Sequence, residues 1–491
     1  MISPSFSRFK QLSRKGNLIA VGKTIPADLE TPVSAFLKLA GDSPYTFLLE
    51  SAEQEEKIGR YSIIGLPPGR IFTARGRDIY IHGKGKAGRL ARDCHPLDFL
   101  EATLSQYQLA NPEILNGFTG GFVGYFGYEN VQYFEDIRLI PKRGLDVPDA
   151  IFFLCREFVI FDHFRKRLSV VLLVEKPSHA GLRRSYAQVV NKILAYLDKL
   201  RRPLRLERPK SVSHAQKIQS NMKRRDFGKK VHSIKNYIRS GDCIQVVLSQ
   251  RFRLPAVADD FQIYRSLRSV NPSPYMFYFR AGKIRLIGSS PEMLVKKTGR
   301  QAELRPIAGT RPRGLSAEED ASFEANLRKS VKEMAEHLML VDLGRNDLGR
   351  VCLFDSVRVK NFARVERYSH VMHLVSDVVG KLRAGKDAFD LLRATFPAGT
   401  VTGAPKIRAM QIIDELEPDR RGPYAGCLGY FGFNGDMDMC ITIRTLISDS
   451  RHIYLQAGAG IVKDSSVKRE FLETLNKARA LLRAIERRGE F

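Results

Sequence analysis

Residues 151–174, IFFLCREFVIFDHFRKRLSVVLLV, contain three apolar runs separated by short polar stretches. The runs are Ile151–Leu154, Phe158–Phe161 and Leu168–Val174, and each has the length of a β-strand. They are rich in the aromatic and β-branched residues that strands favour, and charged or turn-forming residues bound them. The stretch therefore predicts consecutive strands of an antiparallel sheet.

The same pattern extends upstream through the first part of the chain. Further runs of strand length are Tyr45–Leu49, Tyr61–Ile64, Ile71–Ala74 and Ile79–His82. Downstream, apolar residues between Tyr186 and Leu197 recur at helical spacing. Residues 201–224 are polar, basic and proline-bearing, which indicates a linker.

A second segment begins near Asp226 and mixes strands with strong helices. Its predicted strands are Ile244–Leu248, Met276–Phe279, Ile441–Leu446 and Ile453–Gly458. A capping-box sequence at Ser316–Glu319 predicts one helix that continues to Gly344, and a last helix is expected from Ser465 or Ser466. Helices interspersed with antiparallel strands indicate an α+β fold.

The chain has 491 residues, which favours one large domain or two intergrown domains. We divide it into an N-terminal region over residues 1–175, a helix and basic linker over 176–224, and a C-terminal region over 225–491.

Composition excludes several classes of protein. No apolar run approaches the roughly 18 residues of a membrane span, and the basic N-terminus lacks the apolar core of a secretory signal. The formal net charge is +27, so a nucleic-acid binder must be considered, but no helix-turn-helix, zinc-finger or RNP motif accompanies the charge. The six cysteines are scattered without metal-binding spacing, which favours reduced thiols and a cytoplasmic protein.

Two pairs of glutamates are spaced three residues apart on predicted helices. Glu333 and Glu336 form one pair, and Glu470 and Glu473 form the other. This spacing places each pair on one helix face, and two such helices facing each other would offer the hard oxygen ligands that Mg²⁺ prefers. The alternative is solvated surface, since Glu473 and Lys477 also have the spacing of an ordinary salt bridge.

Three glycine-bearing segments could each bring backbone N–H groups close to an anion. They are Pro306–Thr310, Ala398–Lys406 and Gln456–Gly460. None matches a Walker loop or a dinucleotide-binding turn, and a segment of this kind, taken alone, is more often a plain turn.

One arginine and two histidines are candidates for substrate contacts. Arg444 lies inside a predicted strand, where burial is costly unless the guanidinium binds an anion or a carboxylate of the protein. His370 and His373 have the spacing of one helical face, and either is a candidate base or a core histidine.

Taken together, the motifs of the C-terminal region resemble those of the chorismate-binding enzyme family, in the family's order. They are GDCIQVVLSQ (241–250), RPIAGTRPRG (305–314), AEHLMLVDLGRNDLGRV (335–351), FPAGTVTGAPKIRAM (396–410), RGPYAGCLGYFGF (421–433), ITIRT (441–445) and AGAGIV (457–462). In the N-terminal region, ADLETPVSAFLKL (27–39), FLLES (47–51) and GGFVGYFGYE (120–129) resemble the large subunits of anthranilate synthases within that family.

The resemblance implies two packed antiparallel β-sheets surrounded by helices, with a chorismate site in the C-terminal region. It implies Mg²⁺ bound by Glu336 and Glu473, with Glu333 and Glu470 beside the ion through its waters. The substrate-binding residues that it implies are Gly309, Thr310, Tyr424, Arg444, Gly458, Ala459 and Gly460. His373 and Thr400 are implied to stand near the reacting ring as catalytic residues.

The implied reaction adds ammonia to ring carbon 2 of chorismate, expels the 4-hydroxyl group and then releases pyruvate to give anthranilate. Two positions distinguish this reaction from those of similar enzymes. Isochorismate synthases carry a lysine that activates water where this chain has Gln245, and aminodeoxychorismate synthases typically carry a nucleophilic lysine where it has Ala308. Both positions favour direct attack by ammonia.

The resemblance also implies a partner chain, in a heterodimer or heterotetramer. Gly426-Cys427-Leu428-Gly429 is a near miss for the nucleophile turn of a glutamine amidotransferase, and no His-x-Glu accompanies it. A glutaminase subunit is therefore expected to supply the ammonia.

Feedback inhibition by tryptophan is a further implication. Leu48–Ser51 and Asn271–Tyr278 resemble the family's two tryptophan-binding stretches, with Ser51, Pro274, Tyr275 and Met276 as the expected binding residues. Tyr275 could enclose an indole, and Met276 could adapt to it. The alternative is that both stretches belong only to the core.

Three other functions stay open at this point. An aminodeoxyisochorismate synthase would release its product without forming pyruvate, and an aminodeoxychorismate synthase would place the amino group para. A basic nucleic-acid binder would show steeply salt-dependent affinity for duplex DNA.

Overall fold

The computed structural model describes residues 2–51, 59–83, 88–115, 117–176, 181–204, 218–257, 259–368 and 371–490. The strands are β1 (Leu18–Pro26), β2 (Tyr45–Glu50), β3 (Tyr61–Gly65), β4 (Arg70–Arg75), β5 (Asp78–Gly83), β6 (Gly88–Ala91), β7 (Gly121–Phe126), β8 (Ala150–Cys155), β9 (Glu157–Asp162), β10 (Arg167–Glu175), β11 (Gln219–Ser220), β12 (Gln245–Pro255), β13 (Tyr275–Ala281), β14 (Ile284–Ser290), β15 (Met293–Thr298), β16 (Gln301–Leu304), β17 (Ile307–Pro312), β18 (Arg358–Arg367), β19 (Val371–Lys381), β20 (Gly403–Ala404), β21 (Cys427–Gly432), β22 (Met437–Ile441), β23 (Thr445–Ser448) and β24 (His452–Ile461). The α-helices are α1 (Phe6–Leu12), α2 (Pro32–Ala40), α3 (Pro96–Leu104), α4 (Leu182–Arg201), α5 (Arg224–Arg239), α6 (Asp260–Val270), α7 (Ala317–Lys329), α8 (Val331–Gly349), α9 (Ala388–Thr395), α10 (Lys406–Leu416) and α11 (Val467–Glu486).

The strands form two large sheets, and in both of them the paired strands run antiparallel. The first has the order β1-β10-β9-β3-β2-β13-β14-β23-β24-β12-β11, with β20 beside β12. The second has the order β17-β19-β16-β15-β22-β21-β7-β8-β4-β5-β6, with β18 beside β19. Each sheet contains strands from both the N-terminal and the C-terminal parts of the chain, which meet at the β2–β13 and β7–β21 pairs. The predicted α+β fold with two antiparallel sheets is confirmed.

The apolar residues of the strands explain how these layers pack. Phe153 on the second sheet stacks on Phe279 of the first, with 4.5 Å between ring centroids, so the two sheets face each other. On the outer face of the first sheet, Phe36 of α2 stacks on Phe261 of α6 at 4.6 Å, and both rings contact Tyr278 of β13. Helices thus cover the outside of the sheet while aromatic rings fill its inside.

Two of the connections that carry the chain from one sheet to the other run side by side, and we call them the two crossings. The chain leaves the first sheet after β14 and enters the second at β15, and it returns between β22 and β23. The amide of Ile441 donates to the carbonyl of Glu292 at 3.0 Å, and the amide of Ser289 donates to the carbonyl of Arg444 at 3.1 Å. These hydrogen bonds hold the two crossings together between the sheets.

The prediction of a single strand over Ile441–Leu446 is wrong, because the second crossing interrupts it. Arg444 has a φ of +48°, in the left-handed region that extended strands do not use. The segment after Ile441 therefore turns, and β23 begins at Thr445 in the other sheet.

The predicted helix from Ser316 to Gly344 is two helices. Ser316 caps α7 as expected, accepting from the amide of Glu319 at 3.3 Å, but the Glu319 carboxylate accepts from the amide of Leu315 and does not close a capping box. Ser330 interrupts the helix with extended backbone, and its hydroxyl accepts from the amide of Glu333 at the start of α8. The last helix begins at Val467 with Ser466 as its N-cap, as predicted.

Of the helices in the described part of the chain, none combines the length and apolar composition that crossing a lipid bilayer requires. All six cysteines are free thiols.

A buried arginine joins the first sheet to the segment that follows α10. Arg421 has 2% of its surface exposed, and it donates to both carboxylate oxygens of Glu417 at 2.9 and 2.7 Å. It also donates to the carbonyls of Val401 and Val247 at 2.7 and 2.9 Å, and its guanidinium lies 5.5 Å from the ring centre of Tyr424. Ser249 also donates to Glu417, through its amide at 2.8 Å and its hydroxyl at 2.7 Å. Losing the arginine would therefore leave a buried carboxylate without its countercharge and two buried carbonyls without the guanidinium donors.

We expect Arg421→Ala to lower the free energy of unfolding by about 3–5 kcal/mol, the usual cost of stranding one member of a buried ion pair. The matched control is Arg345→Ala, since Arg345 pairs with Asp342 at 3.0 Å on the surface, where such pairs contribute about 1 kcal/mol or less. Urea unfolding followed by circular dichroism measures both. Equal shifts of the two midpoints would contradict the structural role of Arg421.

Candidate active site

The candidate site lies where the two crossings pass between the sheets, and Arg444 is at its centre. No hydrogen-bond partner of the Arg444 guanidinium occurs within the described ranges, although the carboxylates of Glu292 and Glu473 act on it electrostatically. Burial lowers the pKa of Arg444, and these two carboxylates oppose that shift. A half-buried guanidinium with open donors is suited to binding an anionic group.

Glu292, in the other crossing, was missed by the sequence analysis. Its Oε2 accepts a hydrogen bond from the Thr400 hydroxyl at 2.7 Å. Burial raises the pKa of Glu292, and the Thr400 hydrogen bond and the charges of Lys477 and Arg444 offset part of the rise. The available signal was the sequence Ser290-Pro291-Glu292, in which a proline and a carboxylate interrupt two apolar runs. A carboxyl group with a raised pKa can carry a proton into the site.

Two glycines leave open the face of β24 that looks into the site. Gly460 lies opposite Val247 of β12, and a Cβ on it would come within 2.3 Å of the Gln245 amide nitrogen. A Cβ on Gly458 would come within 2.8 Å of the Tyr424 hydroxyl. Any side chain at either position would therefore displace a polar group that faces the site.

Ala459, between these glycines, points to the other side of the sheet. Its methyl group is fully buried in an apolar cluster with Leu248 and Ile461. Only the backbone of Ala459 can therefore contribute to the predicted substrate site.

The four predicted metal-binding carboxylates come from α8 and α11, as the glutamate spacing suggested. Burial raises the pKa of Glu336, and the charges of Glu333 and Glu473 raise it further. Burial likewise raises the pKa of Glu470, and the charge of Glu473 adds to the shift. The two helices therefore bring the carboxylates close enough to repel each other.

These carboxylates also have partners within the protein. Glu336 accepts from the Gln245 amide at 3.3 Å, while Arg311 and Lys477 pair with Glu333 and Glu473 at 3.4 and 2.8 Å. Across the described ranges, no three His, Cys, Asp or Glu side chains are arranged as a ready metal cage.

His373 lies on strand β19, so the helical spacing inferred for His370 and His373 is wrong; His370 itself lies outside the described residues. The Nδ1 of His373 is 2.9 Å from the Gly309 carbonyl and 3.1 Å from the Thr310 hydroxyl. The carbonyl requires Nδ1–H, which assigns the other ring nitrogen, Nε2, as an acceptor. Burial lowers the pKa of His373, which favours this neutral form. The histidine and the bend at Gly309, whose φ is +63°, thus fix each other.

The two predicted tryptophan-binding stretches meet at the end of the β2–β13 pair. Glu50 lies opposite Met276, and Ser51 follows directly. The Ser51 hydroxyl is buried and lacks a hydrogen-bond partner among the residues described. Pro274 is buried, and the Tyr275 hydroxyl donates to Asp438 at 2.9 Å. We call Ser51, Pro274, Tyr275 and Met276 the Ser51–Met276 pocket, after the tryptophan site that the resemblance implies; these residues differ from those around Arg444.

A family model described as chorismate binding enzyme matches residues 43–483. The chain belongs to the chorismate-binding enzyme family. Anthranilate synthase component 1 of Acetivibrio thermocellus is 43% identical over 500 residues, covering 100% of both chains. The protein of the same name from Aquifex aeolicus is 45% identical over 485 residues, covering 98% of this chain and 97% of that one.

Two solved structures share the fold. Anthranilate synthase component I from Streptococcus pneumoniae superimposes with a TM-score of 0.75 at 37% identity, covering 93% of this chain and 98% of that one. The menaquinone-specific isochorismate synthase MenF of Escherichia coli gives a TM-score of 0.72 at 19% identity, covering 98% of each chain.

We expect Gly460→Ala to weaken chorismate binding about 5- to 150-fold. The new methyl group must displace the Gln245 amide from Glu336, and overpacking of this kind costs about 1–3 kcal/mol. Calorimetric titration with chorismate measures the change. The control is Gly349→Ala at the end of α8, where a Cβ meets no atom within 4 Å. Unchanged affinity of Gly460→Ala would show that substrate does not occupy this face.

Proposed function

We propose that the chain is the chorismate-converting large component of an anthranilate synthase, a lyase that forms anthranilate and pyruvate from chorismate and ammonia. The full-length relatives called anthranilate synthase component 1 support this proposal. The observation that carries it in the structure is the guanidinium of Arg444, which has open donors and interacts electrostatically with Glu292 and with Glu473 of α11.

Substrate binding follows from the charges. Arg444 and the buried Tyr424 would hold the enolpyruvyl carboxylate of chorismate, because both offer donors at the same edge of the site. Mg²⁺ fits the opposite edge, where Glu336 and Glu473 would hold it and Glu333 and Glu470 would contact its waters. The mutual repulsion of these carboxylates is the feature of the structure that supports a cation there. When bound, the ion would neutralise and orient the ring carboxylate.

The choice of nucleophile follows from Gln245 and Ala308. The Gln245 Oε1 is buried without a hydrogen-bond partner in the described part of the chain, so it can accept from an N–H of ammonia. An amide cannot deprotonate water, and the methyl group of Ala308 cannot attack the ring. Direct addition of ammonia at carbon 2 is the reaction that these residues support.

The leaving group needs a proton, and Glu292 is placed to supply it. In the proposed sequence, nitrogen bonds to carbon 2 while the C4–O bond breaks, and the departing hydroxyl takes the Glu292 proton to leave as water. In the second half, neutral His373 would accept the carbon 2 proton as the C3–O bond breaks. Enolpyruvate leaves and becomes pyruvate, and the ring becomes aromatic.

Ammonia would come from a separate glutaminase subunit. Burial raises the pKa of Cys427 to about 12, so this near-miss cysteine cannot supply the thiolate that glutamine hydrolysis requires. The unpaired state of the cysteines also supports a reducing, cytoplasmic setting.

Tryptophan is proposed as the feedback inhibitor, bound at Ser51, Pro274, Tyr275 and Met276. The Ser51 hydroxyl, which is buried and has no hydrogen-bond partner among the described residues, offers a hydrogen bond to an amino-acid ligand.

The proposed activity is tested with chorismate, Mg²⁺ and ammonium, followed by anthranilate fluorescence and pyruvate release. We expect the isolated chain to form both products, to ignore glutamine, and to lose activity in EDTA until Mg²⁺ is restored. Para-substituted product, or an amino adduct without pyruvate, would identify aminodeoxychorismate or aminodeoxyisochorismate synthesis instead.

Glu336→Gln extends the same assay. It should abolish turnover while the fold persists, because it removes a carboxylate proposed to hold Mg²⁺. Glu486→Gln, an exposed glutamate on α11, is the matched control and should be fully active. Full activity of Glu336→Gln in metal-free buffer would overturn the metal assignment.

The role of Glu292 is tested by pH. A general acid must be protonated, so kcat should fall as pH rises through the Glu292 pKa. Glu292→Gln should lower kcat about 10²- to 10⁴-fold and remove that alkaline limb. Thr400→Val removes a hydrogen bond that lowers the Glu292 pKa, so the limb should move to higher pH. If the limb stays unchanged in both variants, the proton comes from another group.

A further inference from the structure

A single row of residues crosses the first sheet from the proposed tryptophan pocket to Arg444. Glu50 of β2 lies opposite Met276 of β13, and Met276 lies opposite Ser289 of β14. The amide of Ser289 then donates to the carbonyl of Arg444 at 3.1 Å. Four neighbouring chain segments span about 14 Å at the usual strand spacing of about 4.8 Å. The pocket and the candidate site are therefore close neighbours within one rigid layer.

Ser289 is the residue of this row that contacts both sites. Its hydroxyl accepts from the side-chain amide of Asn271 at 2.8 Å, and Asn271 begins the stretch that contains Pro274, Tyr275 and Met276. Its backbone holds Arg444. Ser289 is fully buried, so a shift of the stretch after Asn271 is transmitted to its backbone rather than absorbed by solvent.

Arg444 is sensitive to such a shift because its backbone is strained. A non-glycine residue in the left-handed region persists only when its surroundings hold it there. If the hydrogen bond between the Ser289 amide and the Arg444 carbonyl changed, the backbone of Arg444 would turn and reorient its guanidinium. The guanidinium itself makes no hydrogen bond among the described residues that would keep it in place.

A second contact from β14 reaches the same crossing. Tyr275 lies opposite Ser290, and the Ser290 hydroxyl donates to the carbonyl of Ile441 at 2.6 Å. A displacement of β13 would therefore reach the segment from Ile441 to Arg444 at both of its ends.

We propose that the Asn271–Ser289 hydrogen bond is a positioning link through which occupancy of the Ser51–Met276 pocket changes the placement of Arg444 and so the affinity for chorismate. The link rests on the proposed tryptophan feedback. Asn271 and Ser289 are proposed as positioning residues, which act through the Arg444 backbone.

Ser289→Ala tests the link, because it removes the acceptor and leaves the proposed tryptophan contacts in place. Chorismate KM and kcat are measured with ammonium as nitrogen source, with and without tryptophan, and tryptophan affinity is measured by calorimetry. In the wild type, tryptophan should raise chorismate KM about 5- to 150-fold. In Ser289→Ala, tryptophan should still bind, but its effect on KM should fall below about twofold, because the interaction that couples the two sites is lost.

Two controls separate the link from loss of packing. Ser266→Ala also truncates a fully buried serine on α6 and should retain the wild-type tryptophan response. Asn271→Ala breaks the same hydrogen bond from a less buried position, so it serves if Ser289→Ala does not fold. The double variant should respond like either single variant, since both remove one interaction.

The outcomes distinguish the link from the feedback on which it rests. Ser289→Ala or Asn271→Ala that bind tryptophan and show the wild-type change in KM would overturn the link alone. Wild-type protein that binds no tryptophan, or whose KM ignores it, would overturn the feedback and the link together. Ser51→Phe should abolish tryptophan binding, and unchanged binding in this variant would place the ligand elsewhere.

Discussion

The hydrogen bonds between the two crossings are the interaction on which the rest of the site depends. When a strand leaves a sheet, its backbone donors and acceptors lose their partners, and burying them unpaired is costly. Here the two crossings pair with each other, through Ile441 with Glu292 and Ser289 with Arg444. The fold thereby places a carboxyl group and a guanidinium side by side between two sheets, in a gap that α8 and α11 close.

The electrostatics of this gap act against stability at neutral pH. Glu292, Glu336 and Glu470 have raised pKa values, chiefly through burial. A carboxyl group whose folded pKa lies above its unfolded pKa favours the folded state most in acid, and that advantage is lost as pH rises through the unfolded value of about 4.3 toward the folded one. Binding a cation at α8 and α11 would offset this penalty, which couples ligand binding to the stability of the two helices.

The sequence predicted the regular parts of the fold and failed where tertiary contacts override local pattern. Apolar runs such as Phe158–Phe161 and Leu168–Val174 are strands in the structure. Their residues favour strands locally, and most of them are also buried in the packed sheets, so local and tertiary preferences agree. The prediction of a strand over Ile441–Leu446 was wrong because Arg444 adopts a left-handed conformation that its local sequence does not indicate. A tertiary contact, the hydrogen bond from the Ser289 amide, helps to hold that conformation. Glu292 was missed for the same reason: its partner Thr400 is 108 residues away, and no local spacing links them.

The placement of a regulatory pocket beside Arg444 follows from the way the sheets are built. Each sheet joins strands of the N-terminal and C-terminal parts, and the β2–β13 pair is one of the two places where they meet. A ligand at that junction contacts both parts at once, while β14, the next strand, leads directly into a crossing. Since strands in a packed sheet move together rather than one by one, a pocket at the junction has access to the site without any flexible segment between them. The tryptophan pocket and the site around Arg444 share no ligand contacts. They can still be coupled, because a short and rigid layer joins them and ends at the strained backbone of Arg444.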